Sequence, residues 1–112
     1  MRDDRERLED ILEAAAAIEK YSSRGRQAFE QDELIQSWIL RHLQIIGEAV
    51  RGLSPEFRQG YPDEIWARAV GMRNILVHQY FAIDPDAVWE AVRDSLAYIK
   101  AKSRGILDGA DK

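Results

Sequence analysis

Apolar residues recur at intervals of three and four along nearly the whole chain, and no stretch alternates for long enough to suggest a strand. That period predicts helices, each with one side to bury. The first runs from about Asp4 to Tyr21 on the stripe Leu8, Ile11, Leu12, Ala15 and Ile18, and the run from Ser22 to Arg26 breaks it. The second begins near Gln27 or later and reaches Leu53 on Leu34, Ile35, Trp38, Ile39, Leu43, Ile46, Ala49 and Val50. Ser54 followed by Pro55 and Glu56 reads as a cap with proline at the first helical position, so a short connector helix follows, closed by Gly60. The third helix starts at Pro62 or Asp63 and is expected to persist to about Tyr80. The fourth starts where Asp84 caps and Pro85 leads, and carries Trp89, Val92, Leu96 and Ile99 until Ser103-Arg104-Gly105. The expected architecture is all-α: an up-down four-helix bundle with a short connector helix, one domain over residues 1–112, with a frayed tail from about residue 106.

A chain of 112 residues supplies one core, burying roughly two-thirds of the surface its unfolded form exposes. Cysteine is absent, which removes disulfides, thiolate nucleophiles and cysteine zinc sites from consideration. The longest apolar runs, such as Ala14 to Ile18, fall far short of the roughly 20 residues of a membrane helix, and the charged start from Met1 to Asp10 does not resemble a secretory signal. The expectation is a cytoplasmic protein with no membrane partner. A formal charge of −4 argues against bulk electrostatic coating of nucleic acid. A local basic site stays open, since Gln36 to Tyr80 holds five arginines against four acids.

The third helix is the informative one. Advancing about 100° per residue from Ile65 gathers Leu76, Ala69, Tyr80, Arg73, Trp66, Val77 and Val70 into one arc of roughly 140°, with Arg73 near its middle. A buried guanidinium needs a carboxylate, a carbonyl, an interface or a cleft, so Arg73 reads either as one half of a structural ion pair, with Glu48 for example, or as part of a site. Beside that arc Ala67, Gly71, Asn74 and His78 form a strip of two small and two polar residues, the pattern of a contact surface next to a polar site. His and Asn on a helix flank are equally at home solvated. Arg73 and His78 stand some 140° apart on an ideal helix, and a second copy packed across a two-fold axis would bring both pairs to one cleft.

Other chemistries find little support. His42 and His78 lie on different helices, no His-Glu-x-x-His occurs and no glycine-rich phosphate loop is present, so no metal or cofactor is expected. Ser37 has no readable partners, and Ser54 is explained as a cap.

Arg73-Asn74-x-x-x-His78-x-Tyr80 resembles the Arg-x4-His signature of the HEPN superfamily, and with its tyrosine it is similar to the HepT-like toxins of prokaryotic toxin-antitoxin pairs. The stretches Ile45 to Phe57, Tyr61 to Trp66, Gly71 to Phe81 and Ile83 to Leu96 follow that family's order, so the resemblance covers about Leu8 to Ala101. It implies a helical two-fold homodimer acting as a metal-independent endoribonuclease on RNA, with tRNA and mRNA both open as substrates. Arg73 and His78 would be the catalytic pair, with Asn74 shaping the site; Glu48 is added as a supporting inner partner of Arg73. It further implies a type VII-like system in which a minimal nucleotidyltransferase antitoxin silences the toxin by adenylylating Tyr80, two turns beyond Arg73 if the helix extends that far. The alternative is a non-catalytic dimeric HEPN module that binds a nucleotide or its nucleotidyltransferase partner. Gln79 stands where similar sequences often have glycine, and Glu64 to Arg68 lacks the proline that commonly precedes the tryptophan.

Overall fold

The computed structural model describes residues 2–109, all of whose regular structure is helical. Helix α1 (Asp4–Ser22) opens on a capping box: the Asp3 carboxylate accepts from the Glu6 N–H at 2.8 Å while Glu6 accepts from the Asp3 N–H. Its stripe of Leu8, Ile11, Ala15 and Ile18 is fully buried. Where one second helix was expected there are two, α2 (Arg26–Gln31) and α3 (Glu33–Arg51). The break falls at Asp32, whose extended backbone lets its side chain accept from the Leu34 and Ile35 N–H groups, ending one helix and capping the next.

Ser54 caps the connector α4 (Pro55–Gly60) as anticipated, its hydroxyl accepting from the Phe57 N–H and donating to Asp4 of α1. Helix α5 (Glu64–His78) starts under Asp63, and Tyr80–Ala82 form a separate 3₁₀ turn. The fourth expected helix is present as α6 (Pro85–Glu90), a π-helical turn (Ala91–Ser95) and α7 (Leu96–Leu107) in one run. Ile106 and Leu107, placed by sequence in the frayed tail, are helical and half-buried. Residues 110–112 of that tail lie outside the described residues.

Helix α3 packs between α1 and α5, and α7 lies along α1. Ile39, Leu43, Ile46 and Val50 of α3 meet Ile65, Trp66 and Leu76 of α5 and Leu96 and Ile99 of α7 in one continuous core. No helix among the described residues is long and apolar enough to cross a membrane.

Candidate active site

The site begins with a glycine. A Cβ on Gly47 of α3 would stand 2.2 Å from the Arg73 Cβ and 2.7 Å from the Ala69 carbonyl oxygen, so the two helices cross at a distance that only glycine permits. Arg73 leaves α5 from inside this crossing and is half-buried. Its Nε is buried without a hydrogen-bond partner, and its Nη1 donates to the Asn74 side-chain oxygen at 3.0 Å.

Glu48, expected as the inner partner of Arg73, accepts instead from Gln44 Nε2 at 2.8 Å, one turn away on its own helix. Among the described residues no carboxylate pairs with Arg73. A guanidinium held only by packing and one neutral amide keeps most of its attraction for an incoming anion.

Asn74 also answers the angular problem that the ideal helix poses. It lies on the strip with His78, and by accepting from Arg73 it draws the guanidinium toward that strip. Ala67, Gly71, Asn74 and His78 are all exposed, as a contact strip requires. They are joined by apolar neighbours that sequence placed in the core or left aside: Val77 is 38% exposed, Ile75 40% and Phe81 wholly so.

Tyr80 departs from its expected place. Helix α5 ends at His78, because Gln79 takes φ −133° and ψ 41° and its N–H closes the last turn on the Ile75 carbonyl. Tyr80 therefore starts the 3₁₀ turn and does not continue the Arg73 line. It is 58% exposed, its ring stands edge-on to Phe81, and its hydroxyl makes no hydrogen bond among the described residues.

The start of α5 is fixed by side-chain hydrogen bonds. Asp63 accepts from the Ile65 N–H at 2.9 Å and from the Tyr98 hydroxyl of α7 at 2.5 Å. The Tyr98 hydrogen bond, then that backbone N–H, holds the Asp63 carboxyl below its ordinary pKa. Among the described residues no three His, Asp or Glu side chains converge as a metal site would require.

The model of the family described as "Ribonuclease HepT-like" matches residues 11–106, which take in the Gly47 crossing and the whole of α5. The chain belongs to the HepT-like ribonuclease family. Named relatives agree. "Putative RNase MJ1380" of Methanocaldococcus jannaschii is 37% identical over 94 residues, covering 83% of this chain and 86% of its own. "Probable ribonuclease HepT" of Thermococcus cleftensis is 33% identical over 96 residues, covering 85% and 87%. "Putative RNase TTE0752" of Caldanaerobacter subterraneus is 32% identical over 108 residues, covering 96% of each chain. No solved structure matches the chain.

For this HepT-like chain, reading the sequence missed two contributors. Gly47 carries the crossing, and its signal was a lone glycine at a core-facing position between Ile46 and Ala49. Gln44 takes Glu48 away from Arg73, and nothing in the sequence marks that choice.

Proposed function

We propose that this protein is an endoribonuclease toxin, cleaving RNA without a metal through Arg73 and His78 and silenced by a nucleotidyltransferase antitoxin. The observation that carries the reading is the half-buried, carboxylate-free Arg73 guanidinium, turned by Asn74 toward the exposed strip that bears His78. Family membership supports the class of reaction.

The chemistry asks little of the protein. The RNA 2′-hydroxyl is the nucleophile; its oxygen bonds to the adjacent phosphorus, its proton goes to a base, and the 5′-oxygen leaves with a proton from an acid. Imidazole serves either role. The two-fold partner supplies a second copy, so one His78 acts as base and the other as acid while the Arg73 forks hold the phosphate charge. The proposed assembly is a pair of up-down four-helix bundles, each one domain over residues 1–112, packed through the small-residue strip of α5. Its exposed Ile75 and Val77 give that interface an apolar component. Glu48, through Gln44, supports the α3 wall of the cleft.

Tyr80 is the proposed point of control, in the cytoplasm where the partner and MgATP are available. Its free, exposed hydroxyl is suited to attack the α-phosphorus of ATP, losing its proton and releasing pyrophosphate to leave an adenylate on the ring. That bulky anion, two residues from His78, obstructs the cleft and competes with RNA for Arg73.

The test is incubation of partner-free protein, its mass confirmed as unmodified, with total cellular RNA in EDTA, beside His78→Ala. Cleavage by the wild type alone is expected. Absence of cleavage from both overturns the catalytic reading in favour of a binding module.

A further inference from the structure

The helix that meets Arg73 carries a further cation over the same groove. Gly47 of α3 lies against Ala69 and Arg73, while Gln36 and Leu40 share a pocket with Tyr80. The two helices are therefore antiparallel, and α3 around residue 40 stands level with the end of α5 that bears His78. Arg41 leaves α3 at that level, six residues or about 9 Å along the axis from the Gly47 crossing.

Both helices turn the same way about that crossing. Around α3, with Gly47 as origin, the buried Ile39, Ile46 and Val50 fall about 60° to 100° to one side, and Ser37 and Arg41 about 80° and 120° to the other. Around α5, with Arg73 as origin, the buried Ile65 and Leu76 fall about 60° to 80° to one side and Asn74 about 100° to the other. Arg41, Ser37 and Asn74 thus lie on the sides turned away from the core, along one outward groove. Arg41 is exposed, and its side chain makes no hydrogen bond or ion pair among the described residues. Ser37, one turn before it, is exposed and equally unengaged. The nearest acids on α3, Glu48 and Glu33, stand about 10 and 12 Å along the axis, roughly a Debye length, and Glu48 is turned onto Gln44. Glu30 and Asp86, on the rim of the Tyr80 pocket, are both held by Arg26. Arg2 and Arg93, also exposed, have their forks on carboxylates.

A guanidinium without a carboxylate and a free hydroxyl, one turn apart on one face, offer N–H and O–H donors beside a positive charge. That is the chemistry of a contact to a phosphate. We propose that Arg41, seconded by Ser37, holds an RNA backbone phosphate next to the one that is cleaved. Arg41 is a positioning residue: it binds the strand at the level of His78 and leaves the reaction to Arg73 and His78. The assignment rests on the reading of the α5 strip as an RNA-cleaving site.

The experiment measures binding of a fluorescent 2′-O-methyl RNA oligonucleotide, which lacks the nucleophile and is not cut, by anisotropy over a range of salt concentrations. The full chain is compared with Arg41→Gln, Arg41→Lys and Arg2→Gln. Arg2 removes an equal charge from the start of α1, which lies with Arg7 against Gly52 at the other end of α3. Arg41→Gln should bind about 3- to 5-fold more weakly, as loss of an exposed ion pair does, with a log-log salt slope shallower by about 0.7. Arg41→Lys should keep the slope, and Arg2→Gln should match the wild type. With cleavable RNA, Arg41→Gln should raise KM and leave kcat unchanged. Wild-type binding and slope in Arg41→Gln, an equal loss in Arg2→Gln, or no binding by the wild type would each overturn the assignment. A change of oligomeric state in Arg41→Gln by light scattering would overturn it too, placing Arg41 between copies of the chain. Wild-type protein that binds this probe but cleaves no RNA would sink the catalytic reading alone.

Discussion

At the scale of single residues, the site depends on where two side chains are held. Arg73→Ala and His78→Ala are each expected to reduce RNA cleavage by about 100-fold or more without altering helix content, as loss of a phosphate clamp or a general acid-base does; wild-type cleavage in either would remove that residue from the mechanism. Gly47→Ala separates packing from chemistry. Alanine gains about 0.5–1 kcal/mol over glycine inside a helix, but overpacking the crossing costs about 1–3 kcal/mol, so the variant should unfold at lower urea. An unchanged midpoint would show that the crossing relaxes freely. These residues were unequally legible. Arg73, Asn74 and His78 stand out in the sequence because polar groups on a helix with an apolar stripe are conspicuous, while their proposed roles come from the family resemblance. The pairing of Glu48 was not legible, since its partner Gln44, one turn back on α3, carries no signal of its own in the sequence.

At the scale of elements, side chains at helix ends decide more than propensity does. Ser54 and Asp84 were readable as caps because each precedes a proline, and both accept from first-turn N–H groups; Asp63, read only as a possible start of its helix, caps it in the same way. Asp32 was not readable, as an aspartate inside a long apolar pattern passes for a solvated position; the chain breaks there, with Phe29 and Ile35 buried on either side. The π-turn at Ala91–Ser95 and the end of α5 at His78 carry no glycine or proline signal, so neither was readable in the sequence. Asp63→Asn should destabilise the fold by about 1 kcal/mol at neutral pH, since it weakens a cap and the tie to Tyr98. With its folded pKa depressed, the Asp63 contribution is complete above the unfolded value of about 3.9 and is lost as pH falls through the lower folded value. Urea midpoints of wild type and variant should thus converge in acid; a constant difference would contradict the assigned cause.

At the scale of the whole molecule, the exposed strip of α5 is the proposed seam between two copies. Ala67→Arg sets two like charges against each other across that seam, so it should yield a monomer by light scattering and lose cleavage in parallel, while a persistent dimer would place the seam elsewhere. The helix that supplies this seam is unevenly clamped. Near its start it is tied to α7 through Asp63 and locked against α3 at Gly47, whereas its last residue, His78, borders an irregular backbone at Gln79. Arg73 therefore sits at the close helix crossing, and His78 and Tyr80 at the exposed end of α5 and beyond it. The proposed pair thus joins a packed helix crossing to an exposed helix end, and whatever orders that end governs how the two meet.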